Sequence, residues 1–589
     1  MLLQSLVKLY ETLAQKGEIE KSGWSPVKIS YGLCLDNDGN IDKIIFLKQK
    51  TADGKKEIPK PISLPMPVKR SSGVASNFLY ENSTYLFGYD SSGKPDRAAK
   101  AFQACKEKHC KILENCDSDA AVSIKKFFDH TIENVQDELL SCGCTQPMVD
   151  EILGKGANML LMPLGKYPFD FDEICRAWDE NYANSDGEKG ICLVTGKYDK
   201  IAVLHPLIKN VKGSQSAGAS LISFNGSAFE SYGKTQGYNA TVSEYAAFAY
   251  AAALNKLIAD TDHRINVGDT TVVCWTEDAE PAYQNLLYSA LYGNDTVSQE
   301  DLKSAITHIA HGETVNWEKV PLHPDNNFYI LGISPNSARL SVRFFIKNTF
   351  GKVMQNVLLH EEQMKIVRPS FETREHLTLW QTVSQTVNPK SKDKSCKPHL
   401  AGDVLNAILN GTRYPATLYY GVQSRISAER DITWGKAAII KAYLMRNIKT
   451  IPKEDLTVEL NEHSENKAYL LGILFSNLEE IQNAANPGIK ATIKDRYFTS
   501  ASSTPALIFP LLIELAQAHL KKIGETSRKI YYQKKLTETM SKLGTEFPVR
   551  LKLEEKGMFQ LGYYHQTQKR YTRKEDCLLY TSDAADDTP

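Results

Sequence analysis

The stretch AFESYGKT, residues 228–235, fits the loose pattern of a phosphate-binding loop: a small residue, four positions of any kind, then Gly-Lys-Thr. A phosphate loop turns consecutive backbone N–H groups inward, so its interior is built of glycine or small residues, and its Gly-Lys-Thr opens a helix whose N-terminus helps hold the anion. Here the interior is Phe229, Glu230, Ser231 and Tyr232, and Glu230 brings a negative charge to where phosphates would lie. Gln236-Gly-Tyr-Asn-Ala240 continues as loop, and the helix signal comes later. Thr241-Val-Ser-Glu244 is a capping-box pattern ahead of the apolar run AAFAYAAALNKLI, which predicts a helix over 242–258. The nearest candidate for a strand ending in a metal-binding aspartate is VVCWTED, 272–278. A P-loop NTPase is therefore the lesser reading of this segment.

Working outward toward the N-terminus, an amphipathic helix over about 2–16 leads into ISYGLCLDNDGNIDKIIFLKQ, where Asp36-Asn-Asp-Gly-Asn40 between two β-rich runs signals a hairpin. Asp36, Asp38 and Asn40 mimic the start of a calcium loop, but Ile41 and Leu47 stand where its glycine and bidentate glutamate belong. Four prolines within 59–67 favour an extended segment that delivers Lys69-Arg70 and Ser71-Ser-Gly73. Residues 95–155 read as helical, 156–190 as an acidic, aromatic-rich connection, and ICLVTGKYDKIAVLHPLIKNV as strand, turn, strand.

Toward the C-terminus TTVVCWTE reads as a strand, and 297–312 as a helix carrying His308 and His311 on its face. FYILGISPNSARLSVRFF (328–345) reads as two strands around Ser334-Pro-Asn336. Alternation places Arg339, Ser341 and Arg343 on one face of the second strand and Leu340, Val342 and Phe344 on the other. Such arginines can meet phosphates, a base edge or internal carboxylates. Beyond about 365 the hydrophobic period becomes 3.6 and strands are scarce. The class is α+β: a mixed α/β N-terminal portion with β-hairpins and helices, then an all-α bundle. The expected divisions are an N-terminal α+β domain (1–190), a mixed core (191–365), a helical connector (366–457) and a helical bundle (458–576). Residues 577–589 have no periodicity and are read as a non-native tail.

The chain has 589 residues and zero net charge, which excludes a uniformly basic nucleic-acid binder, but the charge is segregated. Residues 41–70 hold 8 Lys/Arg against 3 Asp/Glu, 511–576 hold 14 against 8, and 167–190 hold 2 against 7. No apolar run of membrane-spanning length occurs, and the first helix lacks the marks of a signal peptide, so a cytoplasmic location is expected. The eleven cysteines form no disulfide framework. Cys105, Cys110 and Cys116 near His109 are the nearest thing to a metal cluster; buried or surface thiols are the simpler reading. No Gly-x-Ser-x-Gly elbow, His-Glu-x-x-His or clustered nuclease carboxylates occur, so neither an enzyme nor a cofactor is expected. Long loops rich in Ser, Gln, Asn, Lys and Tyr suit phosphate contact and base-edge reading instead.

Four long segments carry more than composition: VKGSQSAGASLISFNGSAFESYGKTQGYNATVSEYAAFAYAAALN (from Val211), FYILGISPNSARLSVRFF, IKDRYFTSASSTPALIFP (from Ile493) and FQLGYYHQTQ (from Phe559). Together, and in this order, they resemble the large subunit of the type I-C CRISPR Cascade surveillance complex, over about residues 1–576. The resemblance implies a non-enzymatic protein that sits with guide RNA and the backbone and foot subunits of that complex. It would recognise the protospacer-adjacent motif in double-stranded target DNA, help open the duplex, stabilise the displaced single strand and present the complex to a separate helicase-nuclease. Guide pairing would read the target while the protein reads a short flank, the division of labour of other RNA-guided effectors. On this reading Lys209, Lys212, Gln215, Ser216, Asn225, Tyr232 and Lys234 line a nucleic-acid channel, with Arg339 and Arg343 beside it. Lys69, Arg70, Ser72 and Asn77 meet the duplex flank, and Lys494, Arg496, Lys521 and Lys522 meet the displaced strand. The C-terminal bundle resembles a separate small subunit that an internal start near 456–460 would produce. Met445 is the only methionine near that boundary, so the start codon would not be AUG.

Overall fold

The computed structural model describes residues 1–51, 54–68, 74–90, 93–130, 132, 134–154, 156–184, 187–261, 264–293, 297–397 and 399–571. Lys69, Arg70, Ser72 and the 577–589 tail lie outside the described residues. The chain divides into two compact units. The first holds Leu3–Pro206 and Ser223–Ala253; the second holds Leu207–Ile222 and everything from Leu254 on.

In the first unit the opening helix Leu2–Gln15 buries Leu6, Leu9, Tyr10 and Leu13 along one stripe, as its spacing requires. A four-stranded sheet follows the order Ile41–Phe46, Tyr31–Leu35, Met159–Pro163, Tyr80–Glu81. Tyr31–Leu35 and Met159–Pro163 are central, parallel and buried at every position, the setting that calls for unbroken apolar runs. The stretch 156–190, expected as a connection, therefore holds this strand and the helix Asp172–Ala183. The hairpin at Asp36–Asn40 is an Asx turn: the Asp36 carboxylate accepts the N–H groups of Asp38 and Asn40, each at 2.9 Å, and the Asn40 amide at 3.1 Å. These bonds hold the Asp36 carboxyl below its usual range. Asp36→Ala is expected to cost about 1 kcal/mol of this unit's stability, read by denaturant titration.

The proline-rich segment is extended as expected, and it is also a strand, Glu57–Pro65. Its first half pairs with Lys48–Lys50 and its second with Trp24–Ile29. Among the described residues each half has one strand partner, as proline, lacking an N–H, favours. The 95–155 stretch is four helices, Pro95–Ile112, Asp119–Phe127, Val135–Ser141 and Gln146–Gly154. His109 is a core residue: its Nε2 accepts the Leu79 N–H at 2.8 Å and its Nδ1–H donates to the Cys105 carbonyl at 2.8 Å. Both ring nitrogens are used, so the histidine beside Cys105, Cys110 and Cys116 is not poised as a ligand.

In the second unit an antiparallel sheet runs Ile265–Val267, Thr270–Thr276, Asn327–Asn336, Arg339–Thr349 in order. One face joins the core through Val272, Cys274, Ile330 and Ile346. The other stacks Trp275, Tyr329 and Phe345, with ring centroids 5.5 and 6.2 Å apart. After Thr349 the described chain is helical, with long helices at Lys467–Ala485, Pro505–Lys522, Thr526–Leu543 and Leu553–Lys569. The α+β class is therefore as the sequence indicates. His308 and His311 each turn Nδ1 to a carbonyl four residues back, as ordinary helix-face groups. Among the described residues no helix is long and apolar enough to cross a membrane.

Candidate nucleic-acid interface

Gly233-Lys234-Thr235 opens no α-helix; the stretch expected to continue as loop is instead a single 3-10 turn, Gln236–Asn239, with Thr235 at its N-cap. Ser231 and Lys234 close a tight turn, the Lys234 N–H reaching the Ser231 carbonyl at 3.0 Å. Tyr232 and Gly233 stand at its centre with φ of +54° and +69°. Positive φ at both central residues is the signature of a type I′ turn, and Gly233 is there because such a position favours glycine. Asn239 holds the turn from behind: its Oδ1 accepts the Ser231 N–H at 2.9 Å, and its Nδ2 donates to the carbonyls of Lys234 (2.9 Å) and Gln236 (3.0 Å). The N–H groups of Ser231 and Lys234 are thus engaged within the loop and do not form a phosphate nest. The helix starts at Glu244, and its N-cap is Ser243, whose Oγ accepts the Ala246 N–H at 3.2 Å. Thr241, expected as the cap, instead donates its hydroxyl to the Ile191 carbonyl. Tyr232 projects fully, 100% exposed, with Asn225 and Lys234 also exposed, all in the first unit.

Lys209, Lys212, Gln215 and Ser216 belong to the second unit. Reciprocal bonds between Ile208 and Ala219, both 2.9 Å, close the loop that carries them. The loop is pinned through its backbone: the Lys209 N–H donates to Asn255 Oδ1 at 2.7 Å, and the Lys212 N–H to Thr271 Oγ1 at 3.3 Å. Gly213 (φ +80°) and Gly218 (φ +102°) make the bends. The four side chains remain exposed, and Lys212 Nζ donates to the backbone carbonyl of Gly268 at 3.3 Å. Gln215 and Ser216 border a cleft of about 470 Å³. Its far side holds Arg264, which donates to the Ile258 carbonyl at 3.1 Å and the Asn210 carbonyl at 3.4 Å; its Nε has no partner among the described residues. Sequence reasoning missed Arg264. The available signal was a single cation at the junction of the Glu244–Ala259 helix and the Ile265–Val267 strand.

Arg339 lies at the base of the same loop, because Ser220 bonds to the chain on both sides of it, at Ala338 and Leu340. The alternation expected for this strand does not run through. The register shifts by one, so that Phe344 pairs with Gly332 and Val342 with Ile333. Val342 and Phe344 therefore point to opposite faces, and Arg343 is the extra residue of a β-bulge. The turn also moves, from the expected 334–336 to Ser337-Ala338, where Ser337 has φ +57°. Arg343 donates to Ser334 Oγ at 2.6 Å and lies 3.4 Å from Asp269, a carboxylate that His399 also approaches at 2.8 Å. Arg343 stays exposed, with its guanidinium beside the partly exposed Asp269.

Two further residues sit differently from expectation. Asn77 is buried, 7% exposed; its Oδ1 accepts the Val68 N–H at 2.9 Å, so it positions chain and does not face solvent. Lys494 pairs with Asp431 at 3.0 Å and lies over the Tyr563 ring. Arg496, Lys521 and Lys522 are exposed. Among the described residues no group of three or more His, Cys, Asp or Glu side chains is placed to hold a metal.

The arrangement is one of pinned polar loops bearing outward cations and amides, suited to gripping a polyanion. A family model described as CRISPR-associated protein (Cas_Csd1) matches residues 6–571. No curated protein sequence matches the chain. Membership of that family implies a place in a CRISPR effector complex with RNA and DNA. With the match covering nearly its whole length, the chain belongs to the Cas_Csd1 family of CRISPR-associated proteins.

Proposed function

We propose that this protein is the large subunit of a type I-C Cascade complex, a non-enzymatic reader of the protospacer-adjacent motif. It uses no cofactor. It opens the flanking duplex, steadies the displaced strand and helps recruit a separate helicase-nuclease. The observation that carries this reading is the 209–218 loop, fixed by backbone bonds to Asn255 and Thr271 while Lys212, Gln215 and Ser216 stay outward beside Arg264. A loop held this way presents its side chains without first paying the entropy of ordering them. Lys212 then serves a phosphate, and Gln215, with two donors and an acceptor on its amide, serves a base edge.

The test is target binding by the guide-loaded complex over a salt series. Lys212→Glu should weaken all targets alike, about tenfold, and reduce the salt slope by about 1. Gln215→Ala should leave the salt slope alone and narrow the preference among flanking sequences by about 1 kcal/mol. Unchanged affinity, slope and flank preference in both variants would remove the assignment.

A further inference from the structure

A second polar cleft lies within the helical bundle, among the helices Lys467–Ala485, Thr526–Leu543 and Leu553–Lys569, and encloses about 620 Å³. That is within the size range of sites for small organic ligands. None of its charged lining residues was singled out by the sequence. Three kinds of group meet there.

The inner wall is apolar, from Leu460, Leu470 and Ile473. Beside it is Asn477, 3% exposed, whose Oδ1 has no partner among the described residues. Its Nδ2 donates to Thr539 Oγ1 at 3.4 Å, a long bond that leaves the amide loosely held. A buried amide edge without a partner costs free energy unless something completes it. Around the mouth stand five cations, Lys534, Lys535, Lys542, Lys569 and Arg570, against three carboxylates, Glu462, Glu480 and Glu538. The carboxylates orient the cations: Glu480 lies 3.1 Å from both Lys535 and Arg570, and Glu462 pairs with Lys569. Lys542 has no carboxylate partner among the described residues and donates to the Glu462 backbone carbonyl. The mouth keeps a positive surplus. The Tyr531 ring, half exposed, stands at the same rim with Lys535 Nζ 5.1 Å from its centroid.

We propose that this cleft binds a nucleoside phosphate, with the base in the apolar slot against Asn477 and the phosphate at Lys542 and Lys569. A bare anion would satisfy the lysines and leave the slot and the amide empty. A neutral apolar molecule would fill the slot and leave the cations unmatched. A nucleotide uses all three, and Tyr531 adds a stacking surface of a kind worth about 1–3 kcal/mol per base. The nucleotide comes either as a free monophosphate or as one unit of a single strand. This site is separate from the 209–218 loop and stands or falls without it.

The experiment is titration calorimetry on the full-length protein with AMP, adenosine and inorganic phosphate in turn, alongside anisotropy of a labelled single-stranded octanucleotide. AMP should bind at least tenfold more tightly than adenosine or phosphate, or the octanucleotide more tightly than its abasic counterpart. The affinity for AMP, or for the octanucleotide, should fall at least tenfold in Lys542→Gln/Lys569→Gln. Asn477→Leu should erase the advantage of the base while keeping phosphate binding. Because Asn477 is buried, Lys534→Gln provides a second variant; this side chain is 77% exposed, and its loss should weaken AMP or the octanucleotide severalfold without touching the core. Competition of AMP with the octanucleotide identifies the free nucleotide as a ligand of the site. Base-dependent octanucleotide binding without such competition identifies the strand. Phosphate binding as tightly as AMP with no base effect in the octanucleotide, or no response to the lysine variants, overturns the proposal. Duplex-flank binding is not measured here, so failure at this cleft leaves the flank reading intact.

Discussion

Replacing Gly472 or Gly562 by alanine is expected to lower the stability of the second unit by about 2–3 kcal/mol each, measured by urea titration. The two glycines sit inside the Lys467–Ala485 and Leu553–Lys569 helices, where glycine costs about 1 kcal/mol relative to alanine. Local propensity alone therefore favours the change. Packing opposes it and wins. A Cβ on Gly472 would lie 2.0 Å from the Phe559 carbonyl oxygen, and one on Gly562 would lie 2.1 Å from that of Tyr469. Each glycine thus admits the other helix's backbone. Backbone cannot rotate aside as a side chain can, so alanine forces the helices apart.

That separation would also strain the polar bonds across the pair. Tyr563 donates to Glu479 at 2.7 Å, Tyr469 meets His565 at 2.8 Å, and Ser476 meets Thr567 at 3.0 Å. Gly154, at the end of the Gln146–Gly154 helix, has open space where its Cβ would go. Gly154→Ala should be neutral or mildly stabilising, and an equal loss in all three variants would refute the packing argument.

Acidification from pH 7 to pH 5 is expected to remove about 2 kcal/mol of stability for each of four buried histidines, two in each unit. Burial pushes His109 and His205 down to about 4, and His360 and His565 down to about 3. The sign follows from where the protons go. With an unfolded value near 6.5, the unfolded chain takes up protons as pH falls through that value while the folded chain does not. Stability is therefore full above about pH 6.5 and is lost as pH falls toward 4. Between pH 4 and 3 the histidines of the folded chain begin to protonate and their contribution flattens.

Three of these imidazoles share one arrangement. The hydroxyl of Tyr250 meets His205 Nδ1 at 2.7 Å, that of Tyr414 meets His360 Nδ1 at 2.6 Å, and that of Tyr469 meets His565 Nδ1. Burial raises each of these tyrosines, so the phenol keeps its proton and donates it to the neutral ring. Protonating the ring removes the acceptor. Urea titrations at pH 7 and pH 5 test this, and a His565→Gln variant should show a shallower pH dependence by one proton even if it is less stable at pH 7. An unaltered slope would show that His565 titrates normally.

Much of the fold was legible along the chain. The Tyr31–Leu35 strand, the Asp36 turn and the long C-terminal helices each depend on neighbours within a few residues, whereas Met159–Pro163 was read as connection because its parallel partner, Tyr31–Leu35, lies far away in sequence. The rejection of the phosphate loop was legible for the same reason, since Phe229, Glu230 and Tyr232 make a poor nest whatever surrounds them. The strand Arg339–Thr349 was legible as a strand and misread in its faces. A single extra residue, Arg343, reverses the side chains beyond it, and only the pairing partner reveals that. Asn77 and Lys494 carry chemistry suited to nucleic acid, but Val68 and Asp431 occupy them. The cleft around Asn477 draws on segments from 460 to 570, and no local pattern marks it.

Sequence by itself determined the α+β class, the change to helical period beyond about 365 and the resemblance that the family match supports in outline. These follow from side-chain periodicity and from motifs read in order along one chain. Tertiary structure alone decided which polar residues remain outward, which glycines admit a second backbone and which histidines are kept neutral. Each of those depends on what packs against a residue from a distant part of the chain, and burial, unlike periodicity, is not a property of neighbours in sequence.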